Sequence, residues 1–254
     1  MDSTLRNAES PPAADRTVGQ LVAETIRLFG GRFWPALGLG FVVATFDQLA
    51  LGQGGRVQTA LLVLATPFFT LAYIGACALA SGARHPRRAF FSAFAIGIVV
   101  FLPVGLLVRF YVLPAIAWLA FVGLAVPVAL LECRGFRESL RRGRQLATAD
   151  YVHALGSLAT LVILYFISRS MLLLLLHGQA DATLRTAAFL ADLVLSPLLF
   201  LGSALLYFDQ KARLESGSPR RRRRDARLHH ADESDRAGSP DAEVEPGPAA
   251  RSES

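Results

Sequence analysis

The sequence predicts an all-α, polytopic membrane protein: a bundle of six transmembrane helices with amphipathic interfacial helices and a disordered C-terminal tail. Hydrophobic residues make up 53% of its 254 residues, and its mean hydropathy is +0.41. Only 18% of the residues are charged, against about 25% in soluble domains. These charges gather in short segments between long apolar stretches, an arrangement typical of a chain whose solvent is lipid.

Six apolar segments are the predicted spans. They cover approximately residues 33–52, 57–81, 89–109, 111–131, 152–176 and 185–208. Each is close to the roughly 20 residues that cross the hydrocarbon core as a helix. Runs such as 171–176 do not alternate apolar and polar residues, which excludes the strands of a barrel. The organisation is therefore a disordered segment at 1–16, a membrane domain at 17–213 and a disordered tail at 214–254.

The distribution of basic residues predicts the orientation. Four segments are rich in them: the N-terminal flank, residues 82–88, residues 132–151, and the flank that begins at Lys211. The alternate loops have only Arg56, Arg109 and Arg185 near them. Because arginine and lysine stay on the cytoplasmic side, all four rich segments and both termini are predicted to be cytoplasmic. An even number of spans independently requires the termini to share one side.

Two segments have the pattern of helices that lie along the membrane surface. Residues 17–30 begin with capping-box spacing between Thr17 and Gln20. In residues 135–148, a narrow apolar stripe of Phe136, Leu140 and Ala147 is surrounded by arginines. The arginines are Arg137, Arg141, Arg142 and Arg144. A basic amphipathic helix of this kind fits the headgroups of anionic lipids, although it is also compatible with a helix packed on the end of the bundle.

The tail combines charge with a lack of apolar residues, so it is predicted to be disordered. Its basic run consists of Arg220, Arg221, Arg222, Arg223 and Arg224, and an acidic stretch follows. The run is expected to contact anionic lipid at the cytoplasmic face. The alternative is a charge block that reinforces the topology and has no binding partner.

No catalytic motif is present in the sequence. It lacks a Walker-type phosphate loop, a zinc-protease HExxH and a GxSxG nucleophile elbow. The five histidines and two cysteines do not have metal-ligand or CxxC spacing. We therefore predict no enzyme activity, metal or cofactor. The net charge of +6 mostly flanks apolar segments, where it orients helices, so nucleic-acid binding is not expected.

Three ionisable residues fall inside predicted spans: Asp47, Arg169 and Asp192. Such residues are costly in lipid and often functional. They are either an ion pair that fixes helix packing or part of a polar path. Arg169 and Asp192 each lie about 12 Å from the connection between spans five and six, at 1.5 Å per residue, so we predict that they pair. Asp47 is a shallower competitor.

Three segments resemble one bacterial family. They are TVGQLVAETIRLFGGRFWPALG at 17–38, LLECRGFRESLRRGRQL at 130–146 and LLYFDQKAR at 205–213. In order and spacing they resemble the membrane domain associated with glycerophosphoryl diester phosphodiesterases and its stand-alone relatives. The resemblance implies a six-helix bacterial inner-membrane protein. It does not imply phosphodiesterase activity, which belongs to a separate soluble barrel domain in the full-length enzymes.

The expected function is that of a non-enzymatic membrane module that organises lipids or a partner membrane protein through its basic cytoplasmic face. The alternative is a transporter or channel subunit, in which Asp47, Arg169 and Asp192 line a polar path. A pull-down of partners from detergent would discriminate between them, since a stable partner with a nucleotide-binding domain would favour transport.

Overall fold

The computed structural model describes residues 16–215, which contain helices α1 to α9 and no strands. The helices are α1 (Val18–Gly31), α2 (Phe33–Ala50), α3 (Gly55–Ser81), α4 (Arg87–Phe110), α5 (Val112–Val122), α6 (Ala125–Leu131), α7 (Phe136–Ala149), α8 (Tyr151–Leu175) and α9 (Asp181–Glu215). Residues 1–15 of the N-terminal segment and residues 216–254 of the tail, which include Arg220 to Arg224, lie outside the described residues.

Six candidate spans emerge, which confirms the predicted all-α multi-pass membrane fold. They are α2, α3, α4, the α5–α6 pair, α8 and α9, each long and apolar enough to cross a membrane. The last helix differs most from the predicted bounds, because it continues past residue 208 to Glu215. This extension buries Asp209, Gln210 and Arg213, so its polar residues pack inside the protein rather than marking the end of the helix.

The fourth span is broken at Gly123 and Leu124, which separates α5 from α6. Pro127 explains the break. It has no N–H to donate to the carbonyl of Gly123, and its ring crowds that same carbonyl. Glycine at this position also has a low helix propensity. The span therefore consists of two helices joined by one turn.

Helix α9 lies at the centre of the packing and contacts α1, α2, α3, α7 and α8. Its closest approach is to α2, at Gly40. A Cβ atom built there would lie 2.1 Å from the carbonyl oxygen of Leu193, so the two backbones meet only because Gly40 has no side chain. Gly143 plays the same part for α7 and α6, where a Cβ would lie 2.7 Å from backbone atoms of Ala125.

The two amphipathic helices pack on the bundle. The capping box at Thr17 and Gln20 is present and starts α1, which buries Leu21 and Thr25. The apolar stripe predicted for α7 is wrong in part, because Phe136 is 41% exposed and only Ala147 of the three is buried. The packed face runs through Ser139, Gly143 and Leu146 instead. Small residues at Ser139 and Gly143 allow α7 to sit directly on α6, which hydrophobicity alone does not reveal.

The two ends of the bundle differ in the loops that they contain. We call one of them the basic end, and it contains the connections 82–86 and 132–135. Both ends of the described chain also lie there, since Arg213 Nη2 donates to the carbonyl of Arg16 at 2.6 Å. The opposite end contains the connections 51–54 and 176–180. This arrangement agrees with six crossings and fixes which loops share a side.

Candidate intramembrane site

The three ionisable residues of the spans converge on one point between α2, α8 and α9. Arg169 Nη1 lies 2.8 Å from Asp192 Oδ1, which confirms the predicted pair. Arg169 Nη2 lies 2.6 Å from Asp47 Oδ2, so the guanidinium bridges both carboxylates. Asp47 is therefore a second partner of the arginine rather than a competitor for it.

Tyr165 is a fourth member that the sequence analysis missed. Its hydroxyl donates to Asp192 Oδ1 and accepts from Arg169 Nη1 at 3.0 Å. It lies one helical turn before Arg169 on α8, and this i, i+4 spacing is the signal that identifies it. We call Asp47, Tyr165, Arg169 and Asp192 the charged cluster.

The members of the charged cluster differ in burial. The side chain of Asp192 is completely buried, while those of Arg169 and Asp47 are 19% and 29% exposed. Ser196, one turn after Asp192, donates to the backbone carbonyl of Asp192 rather than to its carboxylate. The two donors to the Asp192 carboxylate, Tyr165 and Arg169, both come from α8, so the cluster joins α2 and α9 to the part of α8 nearer the opposite end of the bundle.

A cavity of about 400 Å³ lies beside the charged cluster. Asp47, Tyr165 and Arg169 form part of its wall, and the rest is mainly apolar, with side chains from α2, α3, α4, α5, α8 and α9. Along α8 the lining runs from Leu158 to Arg169, which corresponds to about 16 Å of helix. Volumes of this size, with apolar walls and a few polar groups, are usual for sites that hold small molecules.

A second group of polar side chains surrounds Arg213 at the basic end. We call Arg16, Asp150, His153, Asp209 and Arg213 the terminal cluster. Its Nη1 lies 3.1 Å from Asp150 Oδ2, and Nη2 lies 3.3 Å from His153 Nε2. Arg16 Nη1 lies 3.3 Å from Asp209 Oδ1, and Asp209 is completely buried. These contacts join the start of α1, the start of α8 and the end of α9, so they have a structural role.

The predicted basic helix is divided between packing and exposure. Arg142 Nε lies 3.8 Å from Glu132, and Arg144 lies 5.1 Å above the ring of Phe121, whereas Arg137 and Arg141 are exposed. Glu132 also accepts from Tyr207 at 2.9 Å and from Arg134 at 2.7 Å. The hydrogen bond from Arg134 to Glu132 raises the pKa of the Arg134 guanidinium. In the described part of the chain, Arg137 and Arg141 are thus the two of the four whose side chains make no hydrogen bond, ion pair or ring contact.

Within residues 16–215, no group of three or more histidine, cysteine, aspartate or glutamate side chains is placed to hold a metal ion. Comparison of the chain with protein-family models, curated proteins and solved structures gave no match. The charged cluster, the cavity and the distribution of charge are therefore the features that bear on function, and the family resemblance stays a prediction.

Proposed function

We propose that this protein is a non-enzymatic membrane module that binds an amphiphilic, lipid-sized molecule inside its helical bundle. The observation that supports this most directly is the cavity of about 400 Å³ with the charged cluster on its wall. Apolar walls favour a hydrocarbon tail, and a few fixed polar groups select the head of a ligand. The sequence predicts that lipids are organised through the basic cytoplasmic face, and the cavity adds a binding site inside the bundle to that proposal.

The lining supports a ligand that lies along the membrane normal. On α8, Val162 and Leu158 line the cavity at about two and three turns before Arg169. Ile116 and Leu119 of α5 line it as well. Asp47 and Arg169 lie beyond these apolar residues, at the part of the cavity nearer the connections 51–54 and 176–180. A molecule with one polar head and one apolar tail matches that division, because each part then meets surroundings of its own kind.

Filling the cavity is expected to displace the ligand. Gly105 lines the cavity, and a Cβ there would lie 3.6 Å from the Cβ and the carbonyl oxygen of Leu62, an ordinary contact distance, so Gly105→Leu adds volume from a position that accepts a Cβ. Gly38→Leu is the matched control, since Gly38 is exposed on α2 with open space around it. After reconstitution in a defined lipid, mass spectrometry of solvent extracts should find a retained native amphiphile with wild type and Gly38→Leu. It should be lost from Gly105→Leu.

Equal retention by the two leucine variants, with both folded, would place any co-purified lipid on the outer surface and refute binding in the cavity. The second candidate function, a transporter or channel subunit, is supported by Asp47 and Arg169 bordering the same cavity. It requires flux as well as binding. Uptake into proteoliposomes that is abolished by Gly105→Leu would favour transport over a static lipid site.

For the location we propose a bacterial cytoplasmic membrane, with the basic end in the cytoplasm. Arg137 and Arg141 there, together with the tail arginines, would contact anionic lipid or a partner membrane protein. The support is the concentration of arginine at the basic end, compared with Arg56, Arg109 and Arg185 near the opposite end.

Cysteine labelling in intact cells tests this orientation. On a background with Cys77→Ala and Cys133→Ser, an impermeant thiol reagent should label Gly54→Cys and Ala180→Cys, which are exposed at the opposite end. Pro86→Cys and Arg141→Cys, exposed at the basic end, should be labelled only after the cells are broken. The reverse pattern would mean that the basic end faces away from the cytoplasm, which would refute the proposed orientation.

A further inference from the structure

We propose, resting on the function above, that the bound amphiphile carries a positive charge: its cationic head lies beside Asp47 and its apolar tail extends along the cavity. The charge balance of the site is the first argument. The charged cluster contains two carboxylates and one guanidinium, so its formal charge is −1. Among the described residues that line the cavity, Arg169 is the one cation.

The guanidinium of Arg169 already donates three hydrogen bonds within the charged cluster. Nη1 donates to Asp192 and Tyr165, and Nη2 donates to Asp47. An anionic head beside Arg169 would lie next to Asp47, whose carboxylate is 2.6 Å from Nη2, and would add to the net negative charge of the cluster. Since an uncompensated charge is costly within the hydrocarbon region, a second negative group here is strongly disfavoured.

Burial shows where the missing positive charge can be supplied. Asp192 is completely buried and does not line the cavity, and its Oδ2 atom has no hydrogen-bond partner in the described part of the chain. Asp47 does line the cavity, and its side chain is 29% exposed. A ligand thus reaches the negative charge of the cluster through Asp47, and a cation there, together with Arg169, balances the two carboxylates.

The aromatic residues of the cavity point to the same class of ligand. Six of the lining side chains are aromatic: Phe69, Tyr73, Phe101, Tyr165, Phe166 and Phe200. The faces of aromatic rings attract ammonium groups, and the attraction grows when water is excluded. Tyr165 belongs to both features, because its ring lines the cavity and its hydroxyl belongs to the charged cluster. An ammonium amphiphile fits the tail space, the rings and the charge together.

The test compares three probes that share one tail: dodecylammonium, dodecanol and dodecanoate at pH 7. Binding is measured to the full chain in nanodiscs of zwitterionic lipid, with the signal of empty discs subtracted. We expect dodecylammonium to bind at least roughly tenfold more tightly than dodecanol, the ratio given by about 1.4 kcal/mol, and dodecanoate to bind most weakly. Asp47→Asn makes the cluster neutral and should remove the preference for dodecylammonium.

Asp181→Asn is the matched control, because it removes an exposed carboxylate at the start of α9 and should leave the preference unchanged. Equal binding of dodecylammonium and dodecanol to wild type would overturn the charge inference but not the amphiphile site. In that case a proton would balance the negative charge of the cluster. Preference for dodecanoate would also overturn the charge inference. Failure of all three probes to bind saturably would refute the proposed function itself.

Discussion

Replacing Arg169 with methionine is expected to lower the free energy of unfolding by about 3–5 kcal/mol, the range found when one partner of a buried ion pair is removed. The variant leaves Asp47 and the completely buried Asp192 in apolar surroundings without their shared cation. Asp192 keeps a single donor within the cluster, the hydroxyl of Tyr165. The cost should be larger than that of Asp47→Asn, which preserves the neutral pair between Arg169 and Asp192.

Unfolding in detergent, followed by circular dichroism, measures these differences. The triple variant Arg169→Met/Asp47→Asn/Asp192→Asn should be more stable than Arg169→Met alone, because no charge then lacks a partner. Arg185→Met is the control, an exposed arginine near the same end of the bundle. If Arg169→Met has the same free energy of unfolding as Arg185→Met, the charged cluster contributes nothing to stability. The double variant Arg169→Asp/Asp192→Arg is a poorer test, because the new carboxylate at position 169 would lie beside Asp47.

The second large effect is expected at the terminal cluster. Arg213→Met should cost about 3 kcal/mol or more, because the buried guanidinium bonds Asp150 and the carbonyl of Arg16 and lies near the buried Asp209. Unlike the loss of Arg169, the loss of Arg213 should also release the start of α1 from the end of α9. Limited proteolysis near Arg16 should therefore accelerate along with the fall in thermal stability.

Arg88→Met provides the comparison for Arg213→Met. Arg88 is exposed in the first turn of α4 at the same basic end, so its loss removes a charge without removing a buried contact. A proteolysis rate equal to that of Arg88→Met, with an unchanged melting temperature, would mean that the terminal cluster does not hold the end of α9 in place.

The spans were predictable because the free energy of transfer into lipid depends mainly on composition over about 20 residues. The packing face of α7 was not, since it depends on Gly143 fitting against Ala125, and a missing side chain leaves no hydrophobic signal. The extension of α9 was missed for a related reason. The polar residues Asp209 and Gln210 are typical of a solvated segment after a span, but tertiary contacts bury both of them at the basic end.

The candidate site was predictable in part. Equal depth along α8 and α9 correctly paired Arg169 with Asp192, because an antiparallel helix pair converts distance from the connection into height. The same counting placed Asp47 too near the surface. Gln48 donates to the carbonyl of Arg185 at 2.9 Å, so the end of α2 lies level with residues inside α9 rather than with its start. The cavity depends on contacts among six helices, which no local pattern in the sequence encodes.

The close approach at Gly40 limits how this sequence can diverge. Any side chain at position 40 would meet the carbonyl of Leu193, and a backbone atom cannot be exchanged for a smaller one. A substitution there cannot be rescued by a single compensating change in α9. Gly143 faces the backbone of Ala125 in the same way. When homologous sequences are aligned, glycine should persist at both positions even where the surrounding apolar residues vary freely, and lineages that lose either glycine should show a different helix arrangement.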